Sequence, residues 1–374
     1  MLSDLKVKVG PQFYRYHDGA ISFIPELLRS YQATKVLVVH GTVSWEKARK
    51  FMPFLKDNEF DYFYHQYTGH CSYYGTELIE EKVRNNDIDF IIGVGGGSLT
   101  DLVGYAASRL NIPFGVVPTL ASNCAPWTPL SVMYKENGEG EGKTEHFYRQ
   151  AAFFITDPNL VIDAPVNLFI AGLTDTIAKW YEAQAILEQK HLSEENFLQL
   201  AYYVAKLSKT KIEKQAFSAI EAIKNQEMNE DFFQLSEIIF GIAGLVGGLG
   251  DRYARNAAAH AMHDALAKYV PESKKFLHGE KVAYGILYQL AIEEKWDVID
   301  SLMPFYQRID APFSLTRMGL YPLDNQTIDN MVKFIDSLPK VHLIPVEINY
   351  TNLKEAILKL EEYMKDYQEQ KEEV

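Results

Sequence analysis

The chain has 374 residues, of which 47% are hydrophobic and 23% charged, a composition typical of a soluble globular protein with room for two domains. The net charge of −13 argues against a nucleic-acid-binding surface, because neutralising phosphates requires clustered Lys and Arg. Two cysteines, Cys71 and Cys124, exclude a disulfide scaffold and fit a reducing cytoplasm. We find no secretion signal, and no apolar run that approaches the ~20 residues needed to cross a membrane.

Short apolar runs alternate with helical patterns through the first part of the chain. The predicted strands are 35–40, 59–64, 90–94 and 114–117. The predicted helices between and after them are 46–55, 76–85 and 100–109. Strands that alternate with helices indicate crossover connections and a parallel sheet, with a nucleotide site at the C-terminal ends of the strands.

The pattern changes in the middle of the chain. Residues 130–134, a turn over 135–143 and residues 151–161 predict a hairpin followed by a return to the sheet. After Pro165 the strand signals nearly vanish, and long helical patterns run from about Asp175 to the end. We therefore predict an α/β nucleotide-binding domain with a parallel sheet over residues 1–162, followed by an all-helical domain over residues 163–374.

A glycine loop, Gly95-Gly96-Gly97-Ser98, lies between a predicted strand and a predicted helix. Glycine permits positive φ and close approach of the backbone to a pyrophosphate, and the helix N-terminus offers free N–H groups to an anion. The alternative is a tight turn without a ligand. The spacing matches neither the Rossmann pattern nor a P-loop. Asp101 is expected to cap the helix or to bond to the loop backbone.

A second polar loop, residues 118–128, follows the next strand. In a parallel sheet it would lie beside the glycine loop, so that its hydroxyl groups could meet phosphate or ribose. Taken alone this is a weak signal, since Ser, Thr and Asn are common in ordinary loops.

Three residues in the helical half suggest a metal site. His260 and His278 supply imidazoles near one another in sequence, and Asp175 supplies a carboxylate. One carboxylate and two imidazoles leave an open position, as in catalytic metal sites. The alternatives are an Asp175 that caps a helix and a His260 that is merely packed. His263 remains either a packed histidine or a proton-relay group near the open position.

In their order along the chain, these features resemble the glycerol dehydrogenase branch of the iron-containing alcohol dehydrogenase superfamily. The resemblance covers roughly residues 10 to 295. Its motifs are GVGGGSLTD, PTLASNCAPWTPLSVMY, APVNLFIAGLTDTIAKWYEA and AAAHAMHDAL followed by LHGEKVAYG.

This resemblance implies a dehydroquinate synthase-like fold with the active site in the cleft between a nucleotide-binding domain and a helical domain. It implies Asp175, His260 and His278 as ligands of a divalent metal, most often zinc, with iron or manganese as alternatives. The implied contacts to NAD or NADP are Gly95, Gly96, Gly97, Ser98, Thr119, Ser122, Thr128, Leu130 and Tyr134. The metal would lower the pKa of the substrate hydroxyl, and the nicotinamide would take the hydride.

Two positions depart from the glycerol dehydrogenases. Cys124 stands where they carry an aspartate associated with polyol hydroxyls, and its loop is closer to a sub-branch of hydroxycarboxylate dehydrogenases that reduce 2-oxo acids. Gly41 stands where they place an acid after the first strand. Such an acid would bond to ribose and repel a 2′-phosphate, so its absence permits NADP(H).

Other expectations follow from the family and from composition. The substrate is expected to be a small molecule, a polyol or a 2-hydroxy acid, with neither nucleic acid nor membrane as partner. Relatives form dimers to octamers, which predicts a homo-oligomer, and the expected location is cytoplasmic. The alternatives are a lyase of the dehydroquinate synthase type and a non-catalytic nucleotide-binding protein.

Overall fold

The computed structural model describes residues 2–365 and residue 367. Met1, Asp366 and residues 368–374 lie outside the described part, so the predicted C-terminal domain extends beyond it. The strands of the described part are β1 (Tyr14–Tyr16), β2 (Lys35–His40), β3 (Asp61–Gln66), β4 (Phe90–Gly95), β5 (Phe114–Pro118), β6 (Leu130–Tyr134), β7 (Gly140–His146) and β8 (Phe153–Thr156). The helices are α1 (Ile24–Ser30), α2 (Val43–Ala48), α3 (Tyr73–Asn86), α4 (Gly97–Leu110), α5 (Pro158–Val161), α6 (Val166–Leu187), α7 (Lys190–Ser193), α8 (Asn196–Asn225), α9 (Glu230–Glu237), α10 (Ala243–Gly250), α11 (Ala258–Tyr269), α12 (His278–Ile292), α13 (Trp296–Ile309), α14 (Asn325–Asp336) and α15 (Tyr350–Tyr363).

A parallel sheet of the order β1-β8-β5-β4-β2-β3 is formed by six of the described strands. The central strands β4, β5 and β8 are buried along their whole length, which explains why they read as continuous apolar runs. Strand β3 lies at one edge and is largely exposed. The predicted fold class, a parallel α/β sheet followed by a helix-rich part, is confirmed.

Several predicted boundaries need correction. The helix expected at 46–55 is shorter and begins earlier, at Val43–Ala48. Two 3-10 turns follow it, Arg49–Phe51 and Pro53–Lys56, and Pro53 starts the second one, where its missing N–H costs no hydrogen bond. The strand expected at 59–64 lies two residues later, as β3. Within 151–161 the strand is limited to Phe153–Thr156, and the short helix α5 follows. Strand β1 was missed since three residues give no usable period.

The chain forms two compact units. The α/β unit consists of Lys8–Phe169 and Ser218–Gly244; the helical unit consists of residues 2–7, Ile170–Phe217 and the described residues from Leu245 onward. The sequence predicts one boundary near residue 162, whereas the chain changes unit at several points.

Aromatic packing shows why residues 218–244 group with the sheet. Phe233 stacks on Tyr16 of β1 with ring centroids 4.7 Å apart, and Phe240 packs edge-on against the same ring. This segment belongs to the core of the α/β unit although it follows the helix α8 in sequence. The two predicted domain ranges stay a prediction.

One segment corrects the expectation about membrane spans. By length and composition alone, the 24-residue helical run Glu230–Tyr253 could cross a membrane. However, 72% of its most apolar window is buried within the chain. Such burial is typical of a helix in a protein core.

Candidate active site

Asp175 lies in the interior of α6, nine residues after that helix begins at Val166. It therefore cannot cap α6, because only the first turn of a helix has free N–H groups. Its side chain is 4% exposed. The alternative in which Asp175 caps a helix is thus excluded, because α6 begins well before the position that was predicted from the sequence.

Two glycines of α12 bring His278, its first residue, against the neighbouring helices. A Cβ at Gly279 would lie 1.9 Å from the carbonyl oxygen of Ala171 in α6, and a Cβ at Gly285 would lie 2.2 Å from that of Ala259 in α11. Only glycine allows backbones to approach this closely. The start of α12 is further fixed by Glu280, whose carboxylate accepts the Leu277 N–H at 2.6 Å.

The three predicted ligands converge within the helical unit. The Asp175 Oδ1 atom lies 3.2 Å from His260 Nε2 and 3.3 Å from His278 Nε2. The three ligand atoms are all within 4.8 Å of one another. His260 is buried, whereas the His278 side chain is 41% exposed, which leaves the site open on that side.

Two charged residues of α6 complete the surroundings of the ligands. Burial alone would raise the pKa of Asp175, but the charge of Lys179 and hydrogen bonds from the two imidazoles hold it well below its ordinary value. Burial also acts to raise the pKa of Glu182, yet its contacts with His260 and the charge of Lys179 lower it. Both carboxylates are therefore ionised and act as acceptors. Glu182 and Lys179 were not predicted from the sequence, although Glu182 lies two helical turns from Asp175, on the same face.

His263 lies behind His278, at the side away from the carboxylate ligand. Its Nε2 is 3.0 Å from His278 Nδ1, and its own Nδ1 is 3.0 Å from Asp264 Oδ1. Asp264 Oδ2 in turn accepts from Lys340 Nζ at 2.8 Å. Burial, followed by the charge of His278, lowers the pKa of His263 to about 3, so this ring is neutral. His263 thus contacts the proposed ligand His278, and a role as a proton relay stays a prediction.

The donor set fits a divalent metal. Oxygen and imidazole nitrogen are the donors that zinc and its neighbours in the transition series take. Each imidazole offers its Nε2 to the site, while its Nδ1 contacts another polar side chain, Glu182 for His260 and His263 for His278. Outer hydrogen bonds of this kind are a general property of histidine metal ligands. Three protein ligands would leave a coordination position for substrate.

In the α/β unit the glycine loop joins β4 to α4. Gly96 precedes the first residue of α4 and is extended (φ −83°, ψ −175°), so positive φ is not the reason for glycine here. At Gly97 a Cβ would lie 2.5 Å from Asn123 Oδ1, so a larger residue there would require the Asn123 amide to move. Gly97 and Ser98 form the first turn of α4, with the free N–H groups that bind anions. Ser98 Oγ also accepts the Cys71 N–H at 3.1 Å.

The second polar loop lies beside the glycine loop, as predicted: Gly95 pairs with Pro118, and the Thr119 N–H donates to Gly95 at 3.1 Å. The Thr119 hydroxyl is buried and has no hydrogen-bond partner among the described residues. A buried hydroxyl without a partner is costly, and a bound cofactor would supply one. The α/β unit therefore fits the cofactor that the glycine loop suggests.

The remaining predicted cofactor and substrate residues lie in the same unit. Ser122, Cys124, Thr128, Leu130 and Tyr134 are all half-buried, on the loop after β5 and on strand β6. Tyr134 packs against the His70 ring at 5.9 Å. Their contacts with a cofactor or substrate stay a prediction.

Asp101 does not cap α4, because it lies in the second turn. Its Oδ2 accepts the Val132 N–H at 3.0 Å and its backbone carbonyl accepts from Ser131 Oγ at 2.6 Å, which ties α4 to β6. Its Oδ1 has no partner among the described residues. Burial raises the pKa of Asp101 to about 8.

Comparison with known proteins identifies the family. Residues 11–158 match the family model of iron-containing alcohol dehydrogenases. The chain is also 32% identical over 364 residues to hydroxycarboxylate dehydrogenase A of Escherichia coli (strain K12), which covers 96% of this chain and 98% of that protein. The chain belongs to the iron-containing alcohol dehydrogenase family. It is accordingly an oxidoreductase for CH–OH groups that uses a nicotinamide cofactor and a divalent metal.

The resemblance to the glycerol dehydrogenase branch of this family is confirmed as well. Glycerol dehydrogenase 1 of Schizosaccharomyces pombe is 30% identical over 303 residues, 78% of this chain and 66% of that protein. The crystal structure of glycerol dehydrogenase from Schizosaccharomyces pombe superposes with a TM-score of 0.87 and 25% identity, over 100% of this chain and 94% of that one.

Proposed function

We propose that this iron-containing alcohol dehydrogenase interconverts a small 2-hydroxy acid and the corresponding 2-oxo acid, with a divalent metal held by Asp175, His260 and His278. The observation that carries the proposal is the convergence of these three ligand atoms within 4.8 Å in the helical unit. Zinc is the proposed metal, with iron and manganese as alternatives.

Different residues of the chain would have different roles in such a reaction. When bound, the metal supplies Lewis acidity toward the substrate oxygen, and the nicotinamide supplies the hydride acceptor or donor. Asp175, His260 and His278 hold the metal, and the exposed side of His278 leaves room for substrate. His263 accepts the His278 Nδ1–H, so we propose that it orients that ligand rather than exchanging protons with substrate.

The proposed cofactor contacts follow the two loops of the α/β unit. We assign the pyrophosphate to the first turn of α4 and the nicotinamide half to the loop after β5 and the start of β6. The assigned residues are Gly95, Gly96, Gly97, Ser98, Thr119, Ser122, Thr128, Leu130 and Tyr134. Gly41, which follows β2, has no carboxylate to repel a 2′-phosphate, so NADP(H) is admitted as well as NAD(H).

Two observations favour a 2-oxo acid over a polyol. One relative that is similar along almost its whole length, at 32% identity, is a hydroxycarboxylate dehydrogenase, whereas a glycerol dehydrogenase matched to the same extent is 24% identical. Cys124 carries no carboxylate that would repel an anionic substrate, and Lys179 buries a positive charge beside the proposed ligands. The second candidate is a polyol such as glycerol, which is supported by the likeness to the Schizosaccharomyces pombe glycerol dehydrogenase.

Paired kinetics test this proposal. The purified protein, loaded with zinc or manganese, is assayed with 2-oxobutyrate and 2-oxoglutarate against NADH and NADPH, and with glycerol and 1,2-diols in the oxidative direction. We expect kcat/KM to be larger for a 2-oxo acid than for any diol. Turnover of diols alone would establish the polyol alternative, and steady NADH accumulation with any alcohol would exclude a lyase.

We propose a homo-oligomer in the cytoplasm, as expected from the family. Light scattering coupled to size-exclusion chromatography gives the mass of the assembly directly, and a monomeric mass would overturn this part.

A further inference from the structure

We infer that Glu182 is a positioning residue for the metal site: it fixes the tautomer and orientation of His260 and, through the same carboxylate, the start of the helix that carries His260. This inference rests on the proposed metal site at Asp175, His260 and His278. It predicts that metal affinity depends on a side chain that does not touch the metal.

The Glu182 carboxylate is buried and contacts both the ring and the backbone of His260. Its side chain is 1% exposed, and Oε2 lies 2.6 Å from His260 Nδ1. Its Oε1 accepts two backbone N–H groups, from Ala257 at 2.6 Å and from His260 at 2.9 Å. An ionised carboxylate that is taken out of water needs such donors, since an unpaired charge in the interior is very costly. One side chain thus binds both the ring and the backbone of a proposed ligand.

The first turn of α11 has no cap of its own. Ala257, which precedes the helix, offers no side-chain acceptor. Neighbouring helices supply the acceptors instead: Glu182 of α6 takes the N–H groups of Ala257 and His260, and Gln289 of α12 takes those of the two intervening alanines at 3.0 and 3.3 Å. The whole first turn is therefore held from outside, which fixes where His260 points.

The tautomer of His260 follows from the charge of Glu182. A carboxylate only accepts hydrogen bonds, so the His260 Nδ1 must carry the proton. In the neutral form of the ring, which is the form that binds a metal, Nε2 then keeps its lone pair, on the side of the ring that faces Asp175 Oδ1 at 3.2 Å. A metal ligand needs that lone pair.

Helix α6 links the two carboxylates. Asp175 and Glu182 are seven residues apart, two turns of one helix, so their side chains lie on the same face. The helix sets the distance between the carboxylate that would bind the metal and the one that orients its imidazole partner. Lys179 lies on the turn between them.

Glu182→Gln separates positioning from a purely structural role. Its amide oxygen still accepts the two backbone N–H groups, so the start of α11 keeps its cap. Its NH2 group then faces His260 Nδ1 and favours the tautomer with a protonated Nε2, which cannot bind a metal. The matched control is Glu361→Gln: Glu361 is also buried in the helical unit, and its carboxylate accepts the N–H groups of Leu315 and Thr316 without touching a histidine.

The experiment measures zinc affinity by competition with a chromogenic chelator in the full-length protein, without substrate or cofactor. We expect roughly 10- to 100-fold weaker zinc binding for Glu182→Gln. Glu361→Gln should lose stability to urea but keep the wild-type zinc affinity. In a His260→Ala background, Glu182→Gln should cause no further loss, because the partner on which it acts is gone.

The outcomes are distinct. The inference would be overturned by a zinc affinity of Glu182→Gln within twofold of wild type. It would also be overturned if Glu182→Gln weakened zinc binding equally in the wild-type and His260→Ala backgrounds. Either result would leave the metal site intact. A wild-type protein whose zinc binding is unchanged by Asp175→Ala would instead overturn the site itself. Should Glu182→Gln fail to fold, Glu182→Asp takes its place. The aspartate carboxylate is one methylene shorter, so it keeps the charge but loses the contact with the imidazole. Unchanged zinc affinity in Glu182→Asp would also contradict the inference.

Discussion

The backbone of Gly279 lies so close to Ala171 that a Cβ added at residue 279 would be 1.9 Å from the Ala171 carbonyl oxygen. Thr174 Oγ1 bonds to the Gly279 carbonyl at 2.8 Å from the same turn of α6. Because Thr174 precedes Asp175 and Gly279 follows His278, this contact sets the distance between two proposed ligands.

Gly279→Ala should therefore displace the start of α12 and weaken the metal site. We expect about 1–3 kcal/mol or more of lost stability, as is usual for overpacking, together with weaker zinc binding. Urea denaturation and chelator competition measure the two effects. The control is Gly247→Ala, also in a helix of the helical unit, where the added Cβ meets Arg255 at 3.3 Å or more. Wild-type zinc affinity in Gly279→Ala would contradict the proposed role of the contact.

The raised pKa of Asp101 should make the stability of the α/β unit depend on pH. Its pKa is raised to about 8 by burial, whereas in the unfolded chain it lies near ~3.9. Between these values the folded state binds one proton more than the unfolded state, so the free energy of unfolding falls as pH rises from about 4 to about 8. The total is on the order of a few kcal/mol. Asp101→Asn removes this pH-dependent contribution to the free energy of unfolding. Urea unfolding of both proteins at pH 5 and pH 8 should therefore show a smaller change with pH for the variant.

A second carboxylate, Asp324, provides a control for that measurement. Asp324 caps α14, and its bonds to Thr327 lower its pKa, so its contribution is present above the ordinary Asp pKa and lost as pH falls through the lowered value. Asp324→Asn should thus leave the decline between pH 5 and pH 8 unchanged. An equal decline in Asp101→Asn and wild type would contradict the assignment.

Thr119→Val tests the cofactor site through a hydroxyl that has no partner among the described residues. Replacing an unsatisfied buried hydroxyl by a methyl group should leave stability unchanged or raise it slightly, yet weaken binding of the cofactor that would satisfy it. The matched control is Thr156→Val, since the Thr156 hydroxyl donates to the Pro118 carbonyl at 2.5 Å. That variant should lose about 1 kcal/mol of stability. NADH titration by fluorescence measures the affinities, and unchanged NADH affinity in Thr119→Val would remove Thr119 from the site.

Gly41→Asp tests the proposed tolerance of NADP(H). A Cβ at residue 41 meets only the Ser44 hydroxyl, at 2.9 Å, and that side chain can rotate away. The new carboxylate should repel a 2′-phosphate and lower kcat/KM for NADPH roughly tenfold relative to NADH, a change of about 1.4 kcal/mol. Gly41→Asn has the same shape without the charge and should not shift the ratio. An equal shift of the NADPH-to-NADH ratio of kcat/KM in both variants would show that the effect comes from the shape of the new side chain and not from its charge.

Local patterns in the sequence were enough to predict three of the buried strands of the sheet. The runs at β2, β4 and β5 are apolar because both faces of the sheet are covered, and such runs are readable from sequence. Strand β1 and the grouping of residues 218–244 with the sheet depend on contacts far apart in sequence, such as Tyr16 with Phe233, and no local pattern contains them.

The proposed metal ligands were predicted from residue type and family resemblance, but their surroundings were not. Asp175 was placed at a helix start since the nine preceding residues of α6 carry no charge to mark an exposed face. Glu182 could have been suspected from its seven-residue spacing, yet its contact with the first turn of α11 needs the packing of two helices. The reason for Gly279 is likewise a tertiary contact with α6.

The most direct test of the proposed function is the rate of NADH and NADPH oxidation by 2-oxobutyrate in the zinc-loaded protein, measured for wild type and for Asp175→Ala. The account predicts turnover by wild type, abolished by chelation and restored by zinc, together with a loss of both zinc and turnover in Asp175→Ala. A variant that keeps its zinc and reduces 2-oxobutyrate at the wild-type rate would contradict it.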